Sequence, residues 1–97
     1  MSAPESLAEV RARIDALDGQ LIRLLAERQQ LVRAAAGFKR DEQAVRAPDR
    51  VEQVVALARG RALTSGLEPA VAEAVWRAMI GAFVTLELDA HAELGQS

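Results

Sequence analysis

An all-α fold of three helices, paired as an intertwined homodimer, follows from three features of the sequence. These are a heptad-spaced apolar seam near the N-terminus, Pro and Gly punctuation at two later points, and the absence of any alternating polar–apolar stretch. Ninety-seven residues make one domain, residues 1–97, with residues 1–6 and 93–97 expected to fray.

The first helix is the longest. Its apolar positions are Leu7, Val10, Ile14, Leu17, Leu21 and Leu24, then Leu31, Ala35 and Phe38, which keeps one seam over about four heptads. Ser6 is the expected N-cap, and Glu9 three residues later completes a capping-box pattern. No Pro intervenes before Pro48, so the helix is expected from about Leu7 to about Lys39. At about 1.5 Å per residue this is a rod of roughly 50 Å. A compact chain of this length has a radius of gyration of only about 12–13 Å. Its own chain cannot cover such a rod, and a second copy is the simplest cover.

Residues 40–46 are polar and break the pattern. Ala47-Pro48-Asp49 then starts a second helix, with Pro in the first turn and an acid beside the N-terminus. Its apolar positions are Val51, Val54, Val55, Ala58 and Ala62, and Thr64-Ser65-Gly66 ends it. Leu67-Glu68-Pro69 opens the third helix, which carries Val71, Val75, Met79, Ala82, Phe83, Leu86 and Ala90.

Composition narrows the function. Twelve basic and fourteen acidic residues are spread along the chain, without the basic stripe that nucleic acid demands. There is no cysteine, hence no disulfide, thiolate metal site or Cys nucleophile. The single histidine, His91, lies among Asp89 and Glu93 and reads as a solvated surface residue. No apolar run approaches the ~20 residues of a membrane span, and the N-terminus lacks a secretory pattern, so a cytoplasmic protein without membrane partners is expected.

The candidate site rests on charges placed where the helical pattern calls for hydrophobes. Arg28 stands in the seam between Leu24 and Leu31, and Glu87 continues the Trp76–Ile80–Phe83 stripe. Buried charges are costly unless paired or used. Two readings stay open: a structural Arg28–Glu87 ion pair fixing register, or a polar pocket for an anionic ligand. Lys39 favours the pocket. On a continuous helix it would share a lane with Arg28, Val32 and Ala35, about 16 Å beyond Arg28. Arg50 could add a cation, or be only a solvated helix-start residue. Arg11 lies about 25 Å before Arg28 along the rod, too far to share a small ligand within one helix. An antiparallel partner could bring its own Arg11 to the site.

The segments Leu7-Ala-Glu-Val-Arg-Ala-Arg-Ile-Asp-Ala-Leu-Asp18, Leu24-Leu-Ala-Glu-Arg28, Gly37-Phe-Lys39 and Ala47-Pro-Asp-Arg50-Val resemble the all-helical chorismate mutase family, from about Leu7 to His91. The resemblance implies an intertwined dimer with two sites, no metal and no cofactor. It implies that Arg28 and the partner's Arg11 grip the two carboxylates of a small dicarboxylate. Lys39 would donate to the substrate ether oxygen, Arg50 would stand nearby, and Glu87 would fall where many members place a Gln. Val32, Ala35, Ala47, Val54, Ile80 and Phe83 are the expected pocket wall. Ala47, Val51 and Phe83 replace an Asp, a Glu and a Ser common in the family. The Gly-Phe-Lys and Ala-Pro-Asp-Arg-Val segments look closer to the isochorismate pyruvate-lyase branch.

The activity so implied is the concerted rearrangement of chorismate to prephenate, with isochorismate pyruvate lyase as the alternative. A mutase for an amino-substituted chorismate and a non-enzymatic helical dimerisation module are the other two readings. Concerted chemistry needs no nucleophile, in keeping with the absence of Cys. Lys39 and Glu87 are the expected catalytic residues. Glu87 could donate to an ether oxygen only when protonated, which predicts activity falling as pH rises and a flatter profile in Glu87→Gln.

Overall fold

The structure, a computed structural model, describes residues 2–95. Among them every regular element is helical: α1 (Leu7–Ala36), α2 (Glu42–Arg46), α3 (Pro48–Ser65) and α4 (Pro69–Gly95). The all-α expectation holds. The three expected helices are the three long ones, and α4 stays helical through Gly95; Met1, Gln96 and Ser97 lie outside the described residues. No helix among the described residues is long and apolar enough to cross a membrane.

Contacts divide the chain into two compact units, one up to Leu31 and one from Val32 onward. The first is α1 with its cap. Ser6 Oγ accepts from the Glu9 N–H at 3.1 Å, as the capping box requires, but Glu9 Oε2 accepts from the Glu5 N–H at 3.0 Å, one residue earlier than the usual partner. The Arg13 guanidinium donates to Glu9 Oε1 at 2.6 Å and to the Ser2 carbonyl at 2.7 Å. The Glu5 N–H, and after it Arg13, hold the Glu9 carboxyl below its ordinary value. Beyond this cap the apolar seam is bare, from 49% exposure at Ile14 to 71% at Leu31.

The second unit has its own small core. α4 packs against α3 and α2. Val55, Ala58 and Ala62 of α3, Ala72 and Ile80 of α4, Val45 of α2 and Ala36 are buried. The alanines have no side chain beyond Cβ, so the helix backbones can approach closely. Across the outer edge of α3 and α4, Arg77 grips both oxygens of Glu52 at 2.8 and 2.9 Å, and Glu73 bridges Arg77 and Arg59. These hydrogen bonds lower the titration of Glu52 and Glu73 and raise that of Arg77.

Two connections differ from the sequence reading. α1 stops at Ala36 rather than near Lys39, because the N–H groups of Gly37, Phe38 and Lys39 turn to the carbonyls of Ala34, Ala35 and Ala36. This i→i−3 pattern tightens the last turn and ends the helix. Lys39 therefore leaves the lane that an unbroken helix would have given it. The polar run after it contains a helix, α2. Asp41 Oδ1 caps it by accepting from the Ala44 N–H at 2.9 Å, and Val45 anchors it. Ala47 then serves as C-cap of α2 and N-cap of α3 at φ 36°, ψ 63°, a left-handed conformation unfavourable for a residue with a Cβ. The two expected stops are found as read: Gly66 ends α3 at φ 80°, and Pro69 opens α4.

Candidate active site

The second unit brings together Lys39 and Glu87, 48 residues apart in sequence. Lys39 Nζ donates to Glu87 Oε1 at 2.6 Å and to Oε2 at 2.9 Å. Among the described residues Glu87 is the buried charged one, 4% exposed, and Lys39 is half-buried. A buried carboxylate without a partner would be strongly unfavourable, so Lys39 stabilises it there. Both carboxylate oxygens accept from the same ammonium. An ammonium has three N–H donors, and two are committed to Glu87. The third remains for a ligand.

The turn 37–41 that presents Lys39 is tied to α4 a second time. His91 Nε2 lies 3.0 Å from the Lys39 carbonyl oxygen. His91 is half-buried rather than a freely solvated surface residue, because α4 carries it one turn beyond Glu87 on the same face. The i, i+4 spacing from Glu87 was the available signal; it acquires meaning only once Lys39 is placed.

The remaining expected residues are distributed as follows. Arg11 is exposed and Arg28 half-buried on α1, both within the first unit, 17 residues or about 25 Å of helix apart. Arg50 is exposed on α3 and donates to Gln53 Oε1 at 2.6 Å on its own helix. Of the expected wall, Ile80 is buried, and Val32, Ala35, Ala47, Val54 and Phe83 are half-buried. A groove of about 500 Å³ runs between the start of α3 and the middle of α4, lined by Arg46, Pro48, Val51, Ile80 and Val84 among others. Nothing in the sequence distinguishes Arg46 from the other charges of its polar run; its place at this groove comes from the turn at Ala47. Among the described residues no group of three or more His, Asp or Glu side chains is arranged to hold a metal ion.

Chemically, a half-buried ammonium fixed by a buried carboxylate can donate to, and stabilise, developing negative charge on an oxygen. Comparison with known proteins identifies the family. The family model described as chorismate mutase type II matches residues 10–88. An isochorismate pyruvate lyase from Pseudomonas aeruginosa is 30% identical over 91 residues, covering 91% of this chain and 90% of that protein.

Proposed function

Since the chain belongs to the chorismate mutase type II family, we propose that it catalyses the pericyclic rearrangement of chorismate to prephenate, with Lys39 as the cation at the breaking C–O bond. The observation that carries this reading is the Lys39–Glu87 pair. Substrate binding costs Lys39 no ion pair, because its third N–H suffices for the ether oxygen. Charge grows on that oxygen as the bond breaks, so the contact is stronger in the transition state than in the ground state, as acceleration requires. Glu87 orients the ammonium as a carboxylate and does not have to donate.

The two substrate carboxylates fall to Arg28 and to Arg11 of a second chain. About 25 Å of helix separates these arginines within one chain, so one site draws them from two. The bare seam of α1 supports the same homodimer, because Leu7, Ile14, Leu17, Leu21, Leu24 and Leu31 would otherwise face water together. Holding both carboxylates selects the compact conformer from which the bond can form. Arg50 and the apolar side chains Val32, Ala35, Ala47, Val54, Ile80 and Phe83 would complete the pocket.

A second reading, cleavage of isochorismate to salicylate and pyruvate, is favoured by the similarity to the P. aeruginosa lyase. It also suits Ala47 and Val51, where polar residues are common in the family. The deciding experiment is a parallel turnover assay of the purified protein. Prephenate from chorismate supports the first reading, and salicylate with pyruvate from isochorismate alone replaces it with the second. Turnover of neither, with no shift in Tm by either compound, overturns both and leaves a helical dimerisation module.

A further inference from the structure

We infer that His91 is a positioning residue for Lys39: it fixes the backbone from which the lysine reaches, while Glu87 fixes the ammonium at its tip. This rests on the reading of Lys39 as the cation at the reacting oxygen. Lys39 lies outside regular helix, between the end of α1 at Ala36 and the cap of α2 at Asp41. Its side chain has four rotatable carbons and large rotamer entropy, so nothing in the turn itself would hold its tip to the accuracy that catalysis needs.

α4 supplies that accuracy at both ends. Glu87 takes Nζ at 2.6 and 2.9 Å, and His91 takes the Lys39 carbonyl at 3.0 Å. The two residues are one helical turn apart and face the same way. A carbonyl oxygen has no proton to give, so Nε2–H is the donor, which sets the tautomer of the neutral ring. The Lys39 carbonyl lies just beyond the tightened last turn of α1, outside regular helix. His91 thus satisfies an acceptor and anchors the turn in one contact.

The test compares wild type, His91→Phe (a ring without the donor) and His91→Gln (a donor without the ring), alone and combined with Lys39→Ala. Turnover is measured on whichever of chorismate or isochorismate the wild type uses. Expected is a fall of about 10- to 100-fold in kcat for His91→Phe with KM within about threefold. His91→Gln should recover most of the loss. In the Lys39→Ala background His91→Phe should change kcat less than about twofold, because the group it positions is gone. Wild-type turnover with unimpaired His91→Phe overturns the proposal. So does an equal loss with and without Lys39, which marks a merely structural role. If His91→Phe does not fold, His91→Gln and the wild-type imidazole decide: nitrogen NMR at neutral pH should show the proton on Nε2, and a proton on Nδ1 overturns the clamp. Turnover of neither substrate by the wild type overturns the functional reading instead, and the NMR result still tests the clamp.

Discussion

α1 up to Leu31 and the unit from Val32 onward make opposite use of their apolar residues. The first has the clearest pattern in the sequence, a heptad-spaced seam, yet Ile14, Leu17, Leu21 and Leu24 at its centre are exposed in the single chain. The second has a weaker pattern, much of it alanine, and buries it: Val55, Ala58, Ala62, Ala72 and Ile80 close the α3–α4 contact. A strong periodicity therefore reports that a helix has a face to cover, and not that its own chain covers it. An isolated helix of this kind gains too little from its backbone bonds to be stable in water. Its stability has to come from packing, and the seam is where a partner chain would supply it.

Charging the seam is the most severe way to break the comparison. Leu17→Glu with Leu24→Glu should convert a dimer to monomer in sedimentation and lower Tm strongly, since each leucine contributes about 2 kcal/mol when fully covered. If mass and Tm stay unchanged, α1 is a solvated helix and the two-chain site fails with it. The next effect is confined to the second unit. Lys39→Ala should lower kcat/KM by about 100- to 1000-fold, the range for removing a preorganised donor at a developing charge, while the helical circular dichroism is kept. Near-wild-type turnover would remove Lys39 from the site. In the same assay Glu87→Gln separates the two roles of Glu87. An orienting carboxylate predicts about a 10-fold loss, whereas a donating acid predicts retained activity with a flatter pH profile.

A smaller and opposite change is expected where the second unit stores strain. Ala47→Gly removes the Cβ from a left-handed residue, and thermal unfolding should show a gain of about 0.5–1 kcal/mol despite the greater freedom of glycine in the unfolded chain. The smallest effect separates the units by pH. Glu52 and Glu73 titrate below their ordinary 4.5, held there chiefly by Arg77, so their contribution is complete above that value and is lost as pH falls through the lowered one. Glu9 behaves alike at the cap of α1, with the Glu5 N–H as the main cause. Tm should fall slightly below about pH 4.5, and Arg77→Ala should remove the part belonging to Glu52 and most of that of Glu73, leaving the share that Arg59 gives Glu73 and that of Glu9. An unchanged slope in Arg77→Ala would refute the assignment.

What the sequence determined by itself was local. The cap at Ser6, the start at Pro48, the stop at Gly66 and the start at Pro69 depend on residues within a turn of one another, and each stands where the residues indicate. The inward placement of Glu87 was legible for the same reason, as a break in a stripe on one helix. The end of α1, the helix at Glu42–Arg46 and the left-handed Ala47 were not, because short-range bonding in a polar run has several near-equal solutions and packing of Val45 selects one. Tertiary structure alone decided which cation meets Glu87 and what His91 does. The pattern on the first helix offered Arg28 as a structural partner, and only the resemblance set Lys39 beside the same oxygen. The contacts of Lys39 with Glu87 and His91 span 48 and 52 residues. Distances of that kind are set by how α4 lies against the elements before it, and no residue-to-residue spacing along the chain encodes them.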